Sequence, residues 1–558
     1  MHELIKSEVE KIMEVLAQLE PVGVFRFFEE ICNIPHGSGN VDQISDYLKR
    51  FAQDRGLFCI QDELKNIIIK KKGSSGYEDK DPVIIQGHMD MVAVKKPETD
   101  MDMRKEGLRL SVEGDFLFAE ETSLGGDDGI AVAYALALLD DDSLVHPPLE
   151  VIITVDEETG MDGAIGIDLD CIQGRRMLNL DSEEEGVFLV SCAGGSKVST
   201  SMEVCRKGDE AFAGDDTFSQ VNESKINDAE EEASVCRYKI LVDDLLGGHS
   251  GTEIDKGRMN SNLLIARLLN ELKNMFGNLC LVTMDGGLAD NAIPRRTEAI
   301  IEIPADESTD LEKYFAVVSK ELHAELDSRE PKMILSLEFL SRLCFSDDAG
   351  NGVSVNIGNG VPVDTRNEVP VDTRNEVSAD MENYIPAVTE EDTGRIIRYL
   401  LALPNGVIEM SADIPGLVET SLNIGILKLD ENGLETITSV RSNIESAKRM
   451  MIHRLEAVAA LAGADISVNG DYPGWSYRKD SPLREKMICV YKEMYGEEPR
   501  VEALHAGLEC GILASKLEGL DCVSFGPNIH DIHTTEEKLE IGSTKRCWEF
   551  ILELLKNL

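Results

Sequence analysis

Pro82-Val83-Ile84-Ile85-Gln86 runs straight into Gly87-His88-Met89-Asp90. The run is short and β-branched, with Asp-Pro before it and Gly after it. It predicts a strand buried on both faces. A histidine stands where the strand stops, and an aspartate follows two residues on. Taken singly, a His-x-Asp of this kind is a polar loop on a buried strand. The reading changes because the arrangement recurs. Leu149 to Val155 (LEVIITV) is a second apolar run, ending in Asp156-Glu157-Glu158-Thr159-Gly160. Met177-Leu178-Asn179-Leu180 ends in Asp181-Ser182-Glu183. Cys522-Val523-Ser524-Phe525 leads through Gly526-Pro527 to His530 and His533. Further acid comes by another route: Gly125-Gly126-Asp127-Asp128-Gly129 opens the Ala/Leu-rich helical segment Ile130 to Leu139, so Asp127 and Asp128 lie at a helix N-terminus.

Open α/β sheets place their sites beyond the carboxyl ends of the strands. Histidine and several carboxylates delivered to one such edge make a metal site, and imidazole with carboxylate suits zinc, cobalt or manganese. The acids outnumber what one tetrahedral ion needs, which favours a pair of ions bridged by a carboxylate. Glu157 and Glu158 leave their strand in different directions. One can bind metal while its neighbour stays free as a proton-transfer base. Without metal, carboxylates at this density would repel one another.

GHMDMV, GGDDGIAVA, DEETGMDGA, NLDSEEEG with CAGG, and HAGLECG followed by GPNIHDIHTTEE resemble the aminoacyl-histidine dipeptidases (peptidase D, the cytosol non-specific dipeptidase group). That group belongs to the clan of di-zinc aminopeptidases, carboxypeptidases and aminoacylases, and the motifs run in family order over nearly the whole chain. The resemblance implies an α/β fold: an aminopeptidase-like di-metal catalytic domain, with a mixed sheet flanked by helices, and an inserted α+β lid. It implies two divalent metal ions, zinc first, with cobalt or manganese as alternatives. His88 and Asp181 would hold one ion, Glu158 and His533 the other, and Asp127 would bridge them. Asp90 would orient the His88 ring, and Glu157 would be the general base. Asp128 stands beside Asp127, and the choice between them rests on the motif. His530 competes with His533, which is preferred because its spacing to Glu537 matches the family. In the segment Gly247-Gly248-His249-Ser250-Gly251 a plain turn histidine is the simpler reading; the resemblance makes His249 a substrate or oxyanion donor. Arg441, in Val440-Arg441-Ser442, would likewise grip the substrate's terminal carboxylate.

The chain has 558 residues and a formal net charge of -49. That balance argues against nucleic acid or an anionic membrane as a partner. The 12 cysteines show no metal-knuckle spacing. Scattered and often flanked by apolar residues (Cys171, Cys280, Cys489, Cys522), they are expected as reduced core thiols. The opening segment is charged throughout and helically periodic, unlike a signal peptide. No apolar run approaches the ~20 residues of a membrane span. A cytoplasmic protein with a small peptide substrate is expected.

The catalytic domain is expected in two pieces, 1–195 and 471–558, around a lid at 196–470. Helices are expected near 3–20, 24–32, 42–55, 260–272, 311–325, 395–401, 446–461, 483–495 and 543–557. Phe58 to Lys71 alternates and predicts a strand; Ala193-Gly194-Gly195 predicts a turn; Lys95 to Asp115 predicts an irregular surface excursion. His36 is expected in a loop. Glu509 and His505 are equally well a helix cap with packing or a cleft lining. The acidic stretch 203–232 has few apolar anchors and looks like an insertion. VPVDTRNE at Val361 to Glu368 repeats at Val369 to Glu376, and two copies make a duplicated loop rather than a solenoid. A lid joined at two points would hinge and exclude water, and it admits a homodimer formed through the lid. Three functions follow in order: hydrolysis of unblocked dipeptides, Xaa-His included; an aminoacylase or carboxypeptidase-type amidohydrolase of the same clan; and a non-catalytic metal-stabilised binding protein.

Overall fold

The structure, a computed structural model, describes residues 15–208, 234–345, 353–357, 363–364 and 384–558. The helix expected near 3–20, the acidic stretch 203–232 and the repeat at 361–376 lie outside the described residues, apart from their margins and the short strand Val363–Asp364. The chain forms two compact units. The first comprises Met1–Gly194, Ala412–Leu417 and Tyr472–Leu558, and the second Gly195–Ser411 and Val418–Asp471.

The first unit is built on an eight-stranded sheet. Its order is Phe58–Gln61, Ile67–Lys71, Leu149–Thr154, Val83–His88, Arg176–Asn179, Asp521–Ser524, Val187–Cys192 and Arg500–Leu504. The four strands from Leu149–Thr154 to Asp521–Ser524 are mutually parallel, while Ile67–Lys71 joins antiparallel, so the sheet is mixed. Alternation explains the unbroken apolar runs. Ile67, Ile69, Val83, Ile85, Val151 and Ile153 enter one core, and Ile68, Ile84 and Ile152 enter another on the opposite face. Successive side chains point to opposite faces, so a strand covered on both sides must be apolar throughout. The Gly126–Asp140 helix packs on the first face against Val83–His88 and the Val22–Cys32 helix. It is buried from Gly126 to Leu139, which its Ala/Leu composition permits. Each fully buried leucine there is worth about 1.5–3 kcal/mol over an exposed one.

Four expectations are corrected. Phe58 to Lys71 is a hairpin of two strands, because Asp62 accepts the Asn66 N–H at 2.8 Å and Lys65 takes a positive φ of 80°. At Ala193-Gly194-Gly195 the chain does not turn. Val187–Cys192 is followed, after Ala193 alone, by the Gly194–Met202 strand. A glycine is needed here for close approach: a Cβ on Gly194 would sit 2.4 Å from the backbone nitrogen of Gly474. The Lys95 to Asp115 excursion ends in a strand, Leu110–Glu113, which joins Phe116–Ala119, Lys538–Glu540 and Ile529–His530 in a small sheet. All 12 cysteines are free, but Cys489 is exposed rather than a core thiol, because it lies on the outer side of the Pro482–Tyr495 helix.

The second unit carries an 11-stranded sheet whose central strands pair antiparallel. Ser234–Asp243 alternates, burying Cys236, Tyr238, Ile240 and Val242 on one face. The helices Ser261–Met275, Ser308–Leu326, Glu390–Ala402 and Glu445–Ala462 share this unit's core. Asn260 starts the first of them, accepting the N–H groups of Asn262 and Leu263 at 2.9 and 3.3 Å, the usual role of an N-cap asparagine.

Candidate metal centre

Parallel pairing brings three strand ends of the first unit side by side. His88 is the last residue of its strand and pairs with Thr154, while Gln86 pairs with Asn179. Glu157 and Glu158 open the one-turn helix Glu157–Gly160, and Asp181 follows Asn179 by two residues. Asp127 comes from the start of the Gly126–Asp140 helix. There φ −83° and ψ 107° take it off the helical path, and its peptide bond to Asp128 is cis.

Asp127 lies between two imidazoles. Its Oδ1 is 3.2 Å from His88 Nε2, and its Oδ2 is 3.2 Å from His533 Nε2. His533 Nε2 is also 3.0 Å from Glu158 Oε1, and His88 Nε2 is 3.8 Å from Asp181 Oδ1. One ligand atom each from His88, Asp127 and Asp181 lie within 4.8 Å of one another, and so do those of Asp127, Glu158 and His533. Asp127 belongs to both groups. Asp128 faces the other way and accepts the His88 backbone N–H at 3.2 Å. His530 stays out of the cluster, edge-on to Phe116 and 4.0 Å from Glu540.

Asp90 does two things. His88 Nδ1 is 3.0 Å from its main-chain carbonyl and 3.5 Å from its carboxylate, so the carbonyl is the nearer acceptor for the ring. The carboxylate accepts the Glu157 N–H at 3.1 Å and the Ser38 hydroxyl at 2.8 Å. Glu537, quoted in the sequence only for its spacing, accepts the N–H groups of Leu124, Gly125 and Gly126 at 2.8, 3.1 and 2.8 Å, and so holds the turn before Asp127. Glu509 is fully buried beneath the strand ends and accepts from Gln86 Nε2 at 2.6 Å and Thr154 Oγ1 at 2.5 Å. His36 is buried beside its own loop, with Nδ1 2.6 Å from the Ile34 carbonyl.

The electrostatics are those of crowded acid. Burial, with repulsion from Glu509, Glu158 and Asp127, pushes Glu157 up to about 8 against the pull of His88. Burial, then Asp128, raises Asp181 well above the carboxylate range. Burial also works to raise Asp127, but hydrogen bonds from His533 and His88 hold it low. Hydrogen bonds to Asp127 and Glu158 carry His533 up to about 10. Protons thus sit among these carboxylates where divalent cations would fit. Two imidazoles and several carboxylates in overlapping groups form the donor set expected of a carboxylate-bridged pair of ions.

In the second unit, His249 pairs with Ala292 in a short ladder, and its Nδ1 accepts the N–H groups of Gly251 and Thr252 at 3.2 and 3.1 Å. Burial, then the Arg441 charge, lowers its pKa, so the ring is neutral and the proton resides on Nε2. Arg441 is buried near the end of the Gly433–Ser442 strand, opposite Ser421.

A mixed α/β sheet that gathers two histidines and a ring of carboxylates beyond its strand ends is the layout of a metallohydrolase. The chain belongs to peptidase family M20/M25/M40, whose sequence model matches residues 84–557. It is similar to the cytosol non-specific dipeptidase of Escherichia coli K12, 33% identical over 546 residues that cover 98% of this chain and 99% of that protein. Among solved structures it is similar to the aminoacylhistidine dipeptidase of Vibrio alginolyticus. That match has a TM-score of 0.78 at 31% identity and covers 98% of this chain and 99% of the other.

Proposed function

We propose that this peptidase hydrolyses unblocked dipeptides, Xaa-His among them. The observation that carries the reading is Asp127 shared between two of the three candidate ligand groups, with Glu157 in the third beside His88 and Glu158. The names of the two relatives support the substrate class. His88 and Asp181 would hold one divalent ion, Glu158 and His533 the other, and Asp127 both; zinc fits this donor set, as do cobalt and manganese. Such ions supply Lewis acidity toward the peptide carbonyl and acidify the attacking water.

Glu157 takes a proton from that water and delivers it to the leaving amine. Asp90 fixes the base by accepting its N–H at 3.1 Å. His249 donates through Nε2 to the developing oxyanion, its Nδ1 being committed to the turn. Arg441 receives the substrate's terminal carboxylate. The same reading takes 196–470 as a lid inserted between catalytic segments 1–195 and 471–558, with a homodimer formed through the lid. It also takes the protein as cytoplasmic, without nucleic-acid partners. Its support is the net charge of -49, against nucleic acid, and the word cytosol in the name of the Escherichia coli relative. The test compares free dipeptides with their N-acetylated forms on metal-loaded protein. Turnover of the free peptides with little of the blocked ones is expected; preference for blocked substrates would make the chain an aminoacylase instead.

A further inference from the structure

Beside Glu158 and Thr159 the first unit opens a cavity of about 620 Å³. Its other walls come from the segments around Ser38, Met91 to Lys95 and Asp100 to Arg104. None of these carries a candidate metal ligand. Three methionines contribute to the lining: Met91 and Met101, each 2% exposed, and the half-buried Met103, with Val92 beside them. Two of the charged residues in the wall have partners. Lys95 Nζ donates to the Met101 carbonyl at 2.6 Å, and Asp102 pairs with Lys105 at 2.7 Å. Asp100 and Arg104 are exposed. The fully buried part of the lining, Gly37, Met91 and Met101, is therefore apolar, while charged residues of the wall such as Lys95, Asp100 and Arg104 lie exposed. Its size falls in the usual range for small-molecule pockets, roughly 300–1,000 Å³.

We propose that this cavity is the subsite for the side chain of the substrate's amino-terminal residue, and that it selects apolar side chains of varied shape. The inference rests on the dipeptidase reading. In that reaction the attacked carbonyl belongs to the amino-terminal residue, whose side chain branches from the atom next to the reacting carbon. That side chain must find space within a few bonds of the carboxylate cluster, and Glu158 is common to the cluster and the cavity wall. Methionine is unbranched and polarizable, so a wall built from it adapts to leucine, methionine or phenylalanine rather than fitting one of them. The wall also abuts the catalytic backbone. A Cβ on Gly125, two residues before Asp127, would lie 2.8 Å from Met91 Sδ.

The experiment measures kcat/KM of the metal-loaded full chain on Gly-Gly, Leu-Gly, Phe-Gly and Gly-Leu, for wild type, Met103→Trp and Met103→Asp. Wild type is expected to favour Leu-Gly over Gly-Gly by about tenfold or more, the scale of a few methylenes in an apolar pocket. Met103→Trp, which fills the cavity, should cut the Phe-Gly to Gly-Gly ratio about tenfold. Met103→Asp, which puts charge into the lining, should cut the Leu-Gly to Gly-Gly ratio similarly. The readout is a ratio, so the fraction of folded protein cancels, and either variant suffices if the other does not fold. Ratios within twofold of wild type in the variants, or a wild type indifferent to the first residue, would overturn the assignment. So would a change confined to the Gly-Leu to Gly-Gly ratio, which would give the cavity to the carboxyl-terminal residue. A wild type that cleaves none of the four peptides would defeat the dipeptidase reading itself, a distinct result.

Discussion

Ser38 touches no candidate ligand, yet it holds the carboxylate that holds the base. Its hydroxyl donates to Asp90 Oδ2 at 2.8 Å, and Asp90 Oδ1 accepts the Glu157 N–H at 3.1 Å. Removing one such hydrogen bond is worth about 1 kcal/mol. Ser38→Ala should therefore lower kcat about fivefold with KM little changed, and Ser38→Thr should recover most of the loss. A raised KM at constant kcat in steady-state kinetics would contradict this role. Glu537→Ala strips the acceptor from the N–H groups of Leu124, Gly125 and Gly126. Loss of a supporting contact of this kind costs about 10–100-fold in metal affinity, to be read as metal retained after dialysis against a graded chelator. Retention equal to wild type would show that the Asp127 turn holds without it. His88, Glu157 and Asp181 were legible because each follows an apolar run that ends abruptly in polar residues. Ser38, Glu537 and Glu509 were not, because their partners lie 52, 413 and 423 residues away and no local pattern records a hydrogen bond at that range.

Among the elements, the Val83–His88 strand bears the tightest constraint. A Cβ on Gly87 would stand 2.5 Å from Asp128 Oδ2 and 2.7 Å from the Ala131 Cβ, where the Gly126–Asp140 helix presses on the strand. Gly87→Ala should cost about 1–3 kcal/mol by overpacking, seen as a lower urea midpoint with an unchanged slope. Gly277→Ala is the control: nothing lies within 4 Å of its added Cβ, and about 0.5 kcal/mol or less is expected. Equal midpoints for the two variants would mean that the strand and helix can part at no cost. Strands and helices were readable from period and from glycine and proline punctuation. The exceptions have local causes. The Asp62–Asn66 hydrogen bonds fold a hairpin within one alternating stretch. Within Ala193-Gly194-Gly195, Gly194 serves backbone contact with Gly474 rather than a change of direction.

At the scale of the molecule, the buried acids make stability depend on pH and metal together. Burial drives Glu157 up to about 8 and Glu183 and Glu509 up to about 7, and hydrogen bonds to Asp127 and Glu158 carry His533 up to about 10. Each raised group binds more protons folded than unfolded between its ordinary value and its raised one. The stability slope follows the protons of the unfolded state minus those of the folded state, so it is negative in that window. Asp127, held low, acts in the opposite sense only below its ordinary value of 3.8, and His36, His146 and His249, lowered by desolvation, act in it up to 6.5, a smaller set than the raised groups of the cluster. The metal-free chain should therefore lose Tm as pH rises from about 5 to about 8, and metal should restore more of it at the higher pH while releasing protons. A metal-free Tm that climbs over this range would refute the account of the cluster. The fold and the acid-rich centre were legible at this scale because the motifs carry them in order. The subsite was not, because its lining is assembled from four separate stretches of chain. The most direct test of the central claim is hydrolysis of an unblocked Xaa-His dipeptide by wild type and Glu157→Ala, with the metal content of each quantified. The account predicts that the variant keeps its metal and loses about 10²–10⁴-fold in kcat, the usual contribution of a positioned base. A fully metallated Glu157→Ala that turns over at the wild-type rate would contradict it.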